Sequence, residues 1–404
     1  MAGSIANRWK EISGNDNWKN LLDPLDIDLR RSILNYGDLN IAVAAAFNAE
    51  KASKNYGTSR YSMANLFDKV GIVKGNPFRY NVTKFFYATS KIKLPEPFFI
   101  SNSSWIGYVA VATDEGKVAL GRRDIVISWR GTQLGSEWIN DITVSMVSAS
   151  EILGNASSGG GAKDPKVHEG FLSIYTSNDP QSSYSKTSAR DQVLSEVRRL
   201  VELYKDEEIS ITVVGHSMGA AVATLNAADI VANGANKSND LPSKPSSVTA
   251  ILFASPRVGN SEFKLAFSAM KDLRLLRIRN APDPVPGVPI LGFVNVIEPI
   301  QYVDIGVELS IDTEKSDYLK PENNSPHDLE IYLHGVAGTQ GSKGVFELEV
   351  NRDVVLVNRW TDALKDEYHV PISWWIEKNK SMVQSNDGTW NLDDREEDGV
   401  GVDV

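Results

Sequence analysis

The sequence predicts an α/β fold, with a mostly parallel central sheet flanked by helices, and three observations predict it. The runs RDIVISW (123–129), ISITVV (209–214) and VTAILFASP (248–256) are apolar or β-branched almost throughout. A strand with one wet face alternates; a continuous run is covered on both faces, as in a parallel sheet. Helical patterns lie between the runs: ARDQVLSEVRRLVELYKDE (189–207) and MGAAVATLNAADIVA (218–232). In the former, Val193, Val197, Leu200, Val201, Leu203 and Tyr204 recur at helical spacing. Finally, 404 residues with 42% hydrophobic and 23% charged content are enough for a substantial core and too apolar for wholesale disorder.

The remaining elements follow in order. Residues 1–55 read as helical, through Trp18, Leu21 and Leu22, then Leu29, Ile33 and Leu34, and the alanine-rich IAVAAAFNA. FFYATSK and WIGYVAVAT (105–113) are strand-like, the second ending in a turn at 114–116. SASEILGNASSGGGAKDPK (148–166) has the composition of a flexible insertion, and LRLLRIRN (273–280) is a further strand. The expected organisation is one domain over 1–390 with a helical N-terminal extension over about 1–60. Residues 391–404 read as an acidic, disordered tail; from 393 onward it holds six acids and one arginine.

Composition excludes several function classes. With no cysteine there is no disulfide framework, no thiolate nucleophile and no Cys-ligated metal. A net charge of −10 argues against nucleic-acid binding, which needs Lys and Arg to neutralise phosphates. No apolar stretch approaches the roughly 20 residues of a membrane span. The N-terminus resembles neither a secretory signal nor a transit peptide, so a cytoplasmic location is expected.

The chemistry centres on Gly215-His216-Ser217-Met218-Gly219. G-x-S-x-G is a nucleophile elbow: a sharp strand-to-helix turn that presents the serine hydroxyl while the glycines let the two backbones approach. ISITVV before it and AAVATLNAA after it supply the strand–turn–helix context the motif requires. Ser217 is therefore the candidate nucleophile. His216 is its chain neighbour, but the base must reach the hydroxyl from another loop, so His216 is expected to pack beneath the elbow.

The acid should emerge from a later strand. Asp283, in the proline-stiffened APDPVP after LRLLRIRN, fits best; Asp304 and Asp312 are competitors in less defined segments. Of five histidines, His168 precedes Ser217 and breaks the Ser–acid–His order of this chemistry. His327, at the end of the polar loop PENNSP and beside a helix start, is the candidate base, with His334 and His369 as alternatives. An oxyanion needs donors: the Met218 backbone N–H, and a second from Arg130-Gly131-Thr132 after the 123–129 strand, where Thr132 offers an amide and a hydroxyl. Directly beyond, Leu134, Trp138, Ile139, Ile142, Met146 and Val147 recur at helical spacing. Such a helix serves as a lid opening at a lipid interface or as part of the core, and periodicity does not separate the two.

The motifs WRGT, VHEGF, GHSMGAAVATLNAADI, FASPRVGN, RIRNAPDPVP and HDLEIYLHGVAG, in this order, resemble the class 3 lipases. With WKEISGNDNWKNLLDPLD and VGVELSIDTEKSDYLK they resemble more narrowly the plant class II phospholipase A1 enzymes, over nearly the whole chain. The resemblance implies an α/β-hydrolase fold and cleavage of the sn-1 acyl ester of glycerophospholipids through an acyl-enzyme. It implies Ser217, Asp283 and His327 as catalytic residues, Thr132 and Met218 as oxyanion donors, no metal or organic cofactor, and transient contact with a lipid interface. The alternatives are a triacylglycerol or galactolipid lipase of the same fold, and a lipase-like signalling or binding module without catalysis.

Overall fold

Period-two alternation along the strands assigns each buried side chain to one of two helical layers. The computed structural model describes residues 2–53, 55–92, 103–132, 145–154, 164–294, 298–321, 325–342, 344–375 and 382–392. Its main sheet has seven strands, in spatial order β1 (Tyr80–Ala88), β2 (Ser104–Ala112), β3 (Arg123–Trp129), β4 (Ile209–His216), β5 (Ser247–Phe253), β6 (Leu273–Asn280) and β7 (Val307–Ile311). The pairs from β3 to β7 are parallel; β2 is antiparallel to both its neighbours. Ile125, Ile127, Ile211, Val213, Ala250 and Leu252 face one layer, with α3 (Ala189–Leu203) and α4 (Met218–Ala232). Val126, Val214, Ile251, Phe253, Leu276 and Ile278 face the other. That second layer contains α1 (Ala2–Ile12), α2 (Ile27–Ala46) and α5 (Leu329–Gly338). Both faces of the central strands β2 to β5 are thus dry, whereas β7 at the edge alternates, with Ser310 exposed between the buried Leu309 and Ile311.

The polar groups that do enter this core are satisfied as a set. Asp124 on β3 accepts from Tyr36 and Tyr80 hydroxyls at 2.9 Å each, from Ser210 at 2.6 Å and from Thr212 at 2.8 Å. Four donors compensate the carboxylate for lost water. Helix α5 is held at both ends. At its C-terminus Arg30 of α2 donates to the carbonyls of Val336 (2.5 Å) and Thr339 (2.7 Å), groups that have no intrahelical donor. At its N-terminus the buried Glu330 is paired with Arg352 and, at 2.9 Å, with Arg359.

Several sequence expectations are corrected. The N-terminal segment, read as helical over 1–55, is helical over Ala2–Ile12 and Ile27–Ala46 and not between them. Asn17, Trp18 and Asn20 have positive φ, Trp18 and Leu21 lie in turns, Leu22 bridges to Leu25, and Asp26 then caps α2. The turn expected at 114–116 is the first turn of a helix, Asp114–Leu120. Thr113 caps its start and Gly121, at φ 77°, ends it. Met146 and Val147, read as part of a helix, are on a strand (Met146–Ser148) that pairs with Lys166–His168. The rest of the helix expected at 134–144 lies outside the described residues, as does the centre of the Gly/Ser insertion, 155–163. The described start of that insertion is ordered, with Ile152 and Leu153 buried on a short helix. Asn391 and Leu392, read as the start of the disordered tail, pair with Val383 and Met382; residues 393–404 lie outside the described residues.

Candidate active site

Strand β4 delivers Ser217 to the carboxyl edge of the sheet, and the turn into α4 is as tight as the glycines suggest. A Cβ on Gly215 would stand 2.4 Å from the Gly219 carbonyl oxygen, and one on Gly219 would stand 2.4 Å from that of Trp129. Only glycine fits at either position. Ser217 itself is held at φ 57°, ψ −128°, a conformation side chains rarely adopt, with its amide donating to the Phe253 carbonyl at 3.0 Å. This strained residue sits at the N-terminus of α4, so the amide of Met218 is one of the first-turn donors that α4 itself leaves without an acceptor. Gly131 lies directly above: its missing Cβ would be 3.5 Å from the Ser217 Cβ. The loop carrying Thr132 is thereby set beside the serine, half-buried like its neighbour Gly131.

Three sequence-predicted side chains converge here from elements far apart in the chain. The Ser217 hydroxyl donates to His327 Nε2 at 2.8 Å, and His327 Nδ1 donates to Asp283 Oδ2 at 2.8 Å. Asp283 follows β6 and its side chain is fully buried, whereas His327, just ahead of α5, keeps 14% side-chain exposure. The second carboxylate oxygen accepts the Val285 amide at 2.9 Å, which fixes the carboxylate plane. A serine held by a base that is itself held by a buried acid can give its proton to that base and attack a carbonyl.

The competing candidates lie elsewhere. Asp304 pairs with Arg257 and Arg277, and Asp312 accepts the Glu314 amide. His168 caps the Glu169–Thr176 helix, and burial pushes its imidazole down to about 4. His369 is exposed at φ 51°. His216 does not touch the serine hydroxyl; its Nε2–H donates to the His327 backbone carbonyl at 2.8 Å. Burial, with the charge that His327 would carry, pushes His216 down to about 3, so it is a fixed neutral donor bracing the base.

His334 is buried against Phe346, with ring centroids 4.9 Å apart, and shares a 2.8 Å hydrogen bond with Ser316. Burial, first, and Arg352 push it down to about 3 from an ordinary 6.5. The unfolded chain therefore takes up this proton first as pH falls below 6.5. The neutral ring contributes its full stability above that value and loses it towards pH 3. A His334→Gln variant carries no such penalty. Its stability deficit against wild type in urea unfolding should shrink by about 2–3 kcal/mol between pH 7.5 and 4.5. A pH-independent deficit would contradict a buried neutral ring.

Sequence reasoning missed Tyr332, whose buried hydroxyl donates to Asp283 Oδ2 at 2.6 Å. The available signal was a tyrosine in the otherwise apolar face of α5, because a buried phenol needs a partner. Tyr332→Phe leaves Asp283 with one fewer donor on the oxygen that faces His327. In ester hydrolysis kinetics kcat should fall about ten-fold with KM unchanged, the size of one charge-assisted hydrogen bond.

Residues 126–293 match the family described as Lipase (class 3). The chain is 51% identical over 407 residues to Phospholipase A1-II 1 of Oryza sativa subsp. indica, which covers 98% of each chain. It is 48% identical over 403 residues to Phospholipase A1-IIbeta of Arabidopsis thaliana, covering 97% of this chain and 94% of the relative. Among solved structures, a nonglycosylated LIP2 lipase of Yarrowia lipolytica is 19% identical with a TM-score of 0.46, covering 72% of this chain and 82% of that one.

Proposed function

Because this chain belongs to the phospholipase A1-II family, we propose that it hydrolyses the sn-1 acyl ester of glycerophospholipids, with Ser217 as nucleophile. The observation that carries the assignment of roles is the relay from Ser217 Oγ to His327 Nε2 and from Nδ1 to Asp283, with 2.8 Å at each step. His327 takes the serine proton as Oγ attacks the ester carbonyl. The resulting oxyanion is received by the amides of Met218, at the start of α4, and of Thr132, in the loop after β3. Collapse of the tetrahedral intermediate expels the lysophospholipid as His327 returns the proton to its oxygen. Water, activated by the same imidazole, then releases the fatty acid. Asp283 stays ionised throughout and stabilises the imidazolium that forms at each transfer.

Access to the ester requires contact with a lipid aggregate. Ile290 and Leu291, 58% and 51% exposed, follow the acid loop and are suited to such transient contact. The cysteine-free composition supports a reducing compartment, the cytosol, as the place of action.

The test is phosphatidylcholine labelled differently at its two acyl positions, together with a fluorophosphonate probe. Release of the sn-1 label and probe attachment at Ser217 are expected. Release from sn-2 would refute the regioselectivity. Hydrolysis of triacylglycerol or galactolipid alone would point to the neutral-lipid or galactolipid alternative. A wild-type protein that neither turns over lipid nor takes the probe would be a binding module.

A further inference from the structure

Arg130 is a buried cation that the relay does not use. It is 2% exposed, and among the described residues no carboxylate pairs with it. Burying an uncompensated charge costs several kcal/mol, so its contacts are informative. The guanidinium lies 3.8 Å from the ring centroid of Phe47, at the end of α2, in a cation–π contact. Its Nε donates to the Trp105 carbonyl at 3.1 Å, while the Arg130 backbone amide donates to the Ile106 carbonyl at 2.8 Å. The side chain and its own backbone are thus both fastened to β2. Its Nη1 donates to the carbonyl of Gly131 at 3.0 Å, and Nη2 has no partner among the described residues.

The last bond bears on the reaction. The Gly131 carbonyl and the Thr132 amide belong to one peptide unit, and in a trans peptide C=O and N–H point in opposite directions. Fixing the carbonyl towards Arg130 therefore fixes the Thr132 N–H away from it. This peptide needs fixing. Residue 131 must be glycine, because a Cβ would stand 2.9 Å from the His216 carbonyl oxygen, and glycine offers little resistance to rotation of the plane. A cation on the carbonyl also polarises the amide and makes its N–H a stronger donor.

We propose that Arg130 is a positioning residue that orients the Gly131–Thr132 peptide so that the Thr132 N–H faces the developing oxyanion. This rests on the reading of Ser217 as nucleophile and adds a residue to the machinery that reading names. Lysine cannot substitute fully, since one ammonium does not span the carbonyls of Trp105 and Gly131 with a planar fork.

The experiment compares wild type with Arg130→Met, which keeps an unbranched apolar stem on Phe47, and with Arg130→Lys. Two ligands separate positioning from site shape. An acyl trifluoromethyl ketone adds to the serine and develops an oxyanion; a non-hydrolysable ether phospholipid fills the same site without one. For Arg130→Met, kcat should fall roughly 10- to 100-fold with KM within about two-fold, a misaimed oxyanion donor being the cause. Ketone affinity should fall by the same factor and ether-lipid affinity should hold. Arg130→Lys should lie between, with roughly five-fold weaker ketone binding. If Arg130→Met does not fold, the lysine variant carries the same comparison. Wild-type ketone affinity in the folded methionine variant overturns the proposal, as does an equal loss for both ligands. If the wild-type ketone adduct does not form at Ser217, the nucleophile assignment itself fails and this proposal fails with it.

Discussion

Replacing Ser217 by glycine is expected to abolish ester hydrolysis while raising the thermal stability of the protein. The hydroxyl is the only atom in the relay that can bond to the acyl carbon, so turnover should drop by about 10⁴- to 10⁶-fold, towards what oxyanion donors and binding alone provide. Stability moves the other way because the serine is held at φ 57°, ψ −128°. A side chain in such a region costs about 1–3 kcal/mol, which glycine does not incur. Glycine loses more chain entropy on folding, by roughly 0.5–1 kcal/mol, so the net gain should be about 1 kcal/mol. Ser217→Ala is the control, equally inactive but without the relief. Thermal unfolding of the two variants side by side decides it. An alanine variant as stable as the glycine variant would mean the elbow stores no strain.

Asp283→Asn should cost about 10⁴-fold in kcat with the fold preserved. The carboxylate oxygen facing His327 accepts two hydrogen bonds, from Nδ1 and from the Tyr332 hydroxyl, while the other oxygen holds the Val285 amide. An asparagine can satisfy Val285 only by turning its NH₂ towards His327. The imidazole must then present Nδ1 as an acceptor and carry its proton on Nε2. A protonated Nε2 points a donor at the serine and cannot take its proton. The Tyr332 phenol loses its acceptor in the same rotation, so the loss should exceed that of Tyr332→Phe by far. Steady-state hydrolysis of a short-chain ester, with circular dichroism to show an intact fold, measures it. A loss below about ten-fold would place the acid's function elsewhere in the site.

The parts of this molecule that were legible from sequence are those decided locally. β4 is a β-branched run leading into the obligatory Gly215, and α4 begins directly after the serine. Order along the chain and the position of loops after strands were enough to select His327 and Asp283 as the pair to watch. What escaped reading depends on contacts across long separations or on caps. Tyr332 meets Asp283 across 49 residues, and its partner is set by the register of α5 against β6. Met146 and Val147 fit a helical spacing, but pairing with Val167 and His168 overrides it. The Asp114–Leu120 helix was overlooked although Thr113 and Gly121 are the residues expected at its two ends. The break between α1 and α2 carries positive φ at Asn17 and Asn20, which asparagine tolerates, and at Trp18, for which no propensity announces it.

The clamps on α5 determine how little of this chain can work alone. The segment that matches the class 3 lipases, 126–293, contains the serine and the acid and stops short of His327. Excised, it would have an attacking group with nowhere to send a proton. Extending it through α5 is still insufficient, because the helix that follows the base is anchored by Arg30 at one end and by Arg352 and Arg359 at the other. A chain cut at 340 would leave Glu330 buried without its cations, at the helix turn next to His327. The smallest transplantable unit therefore runs from ahead of Arg30 to beyond Arg359, and any fusion, truncation or circular permutation of this protein has to leave that span uncut.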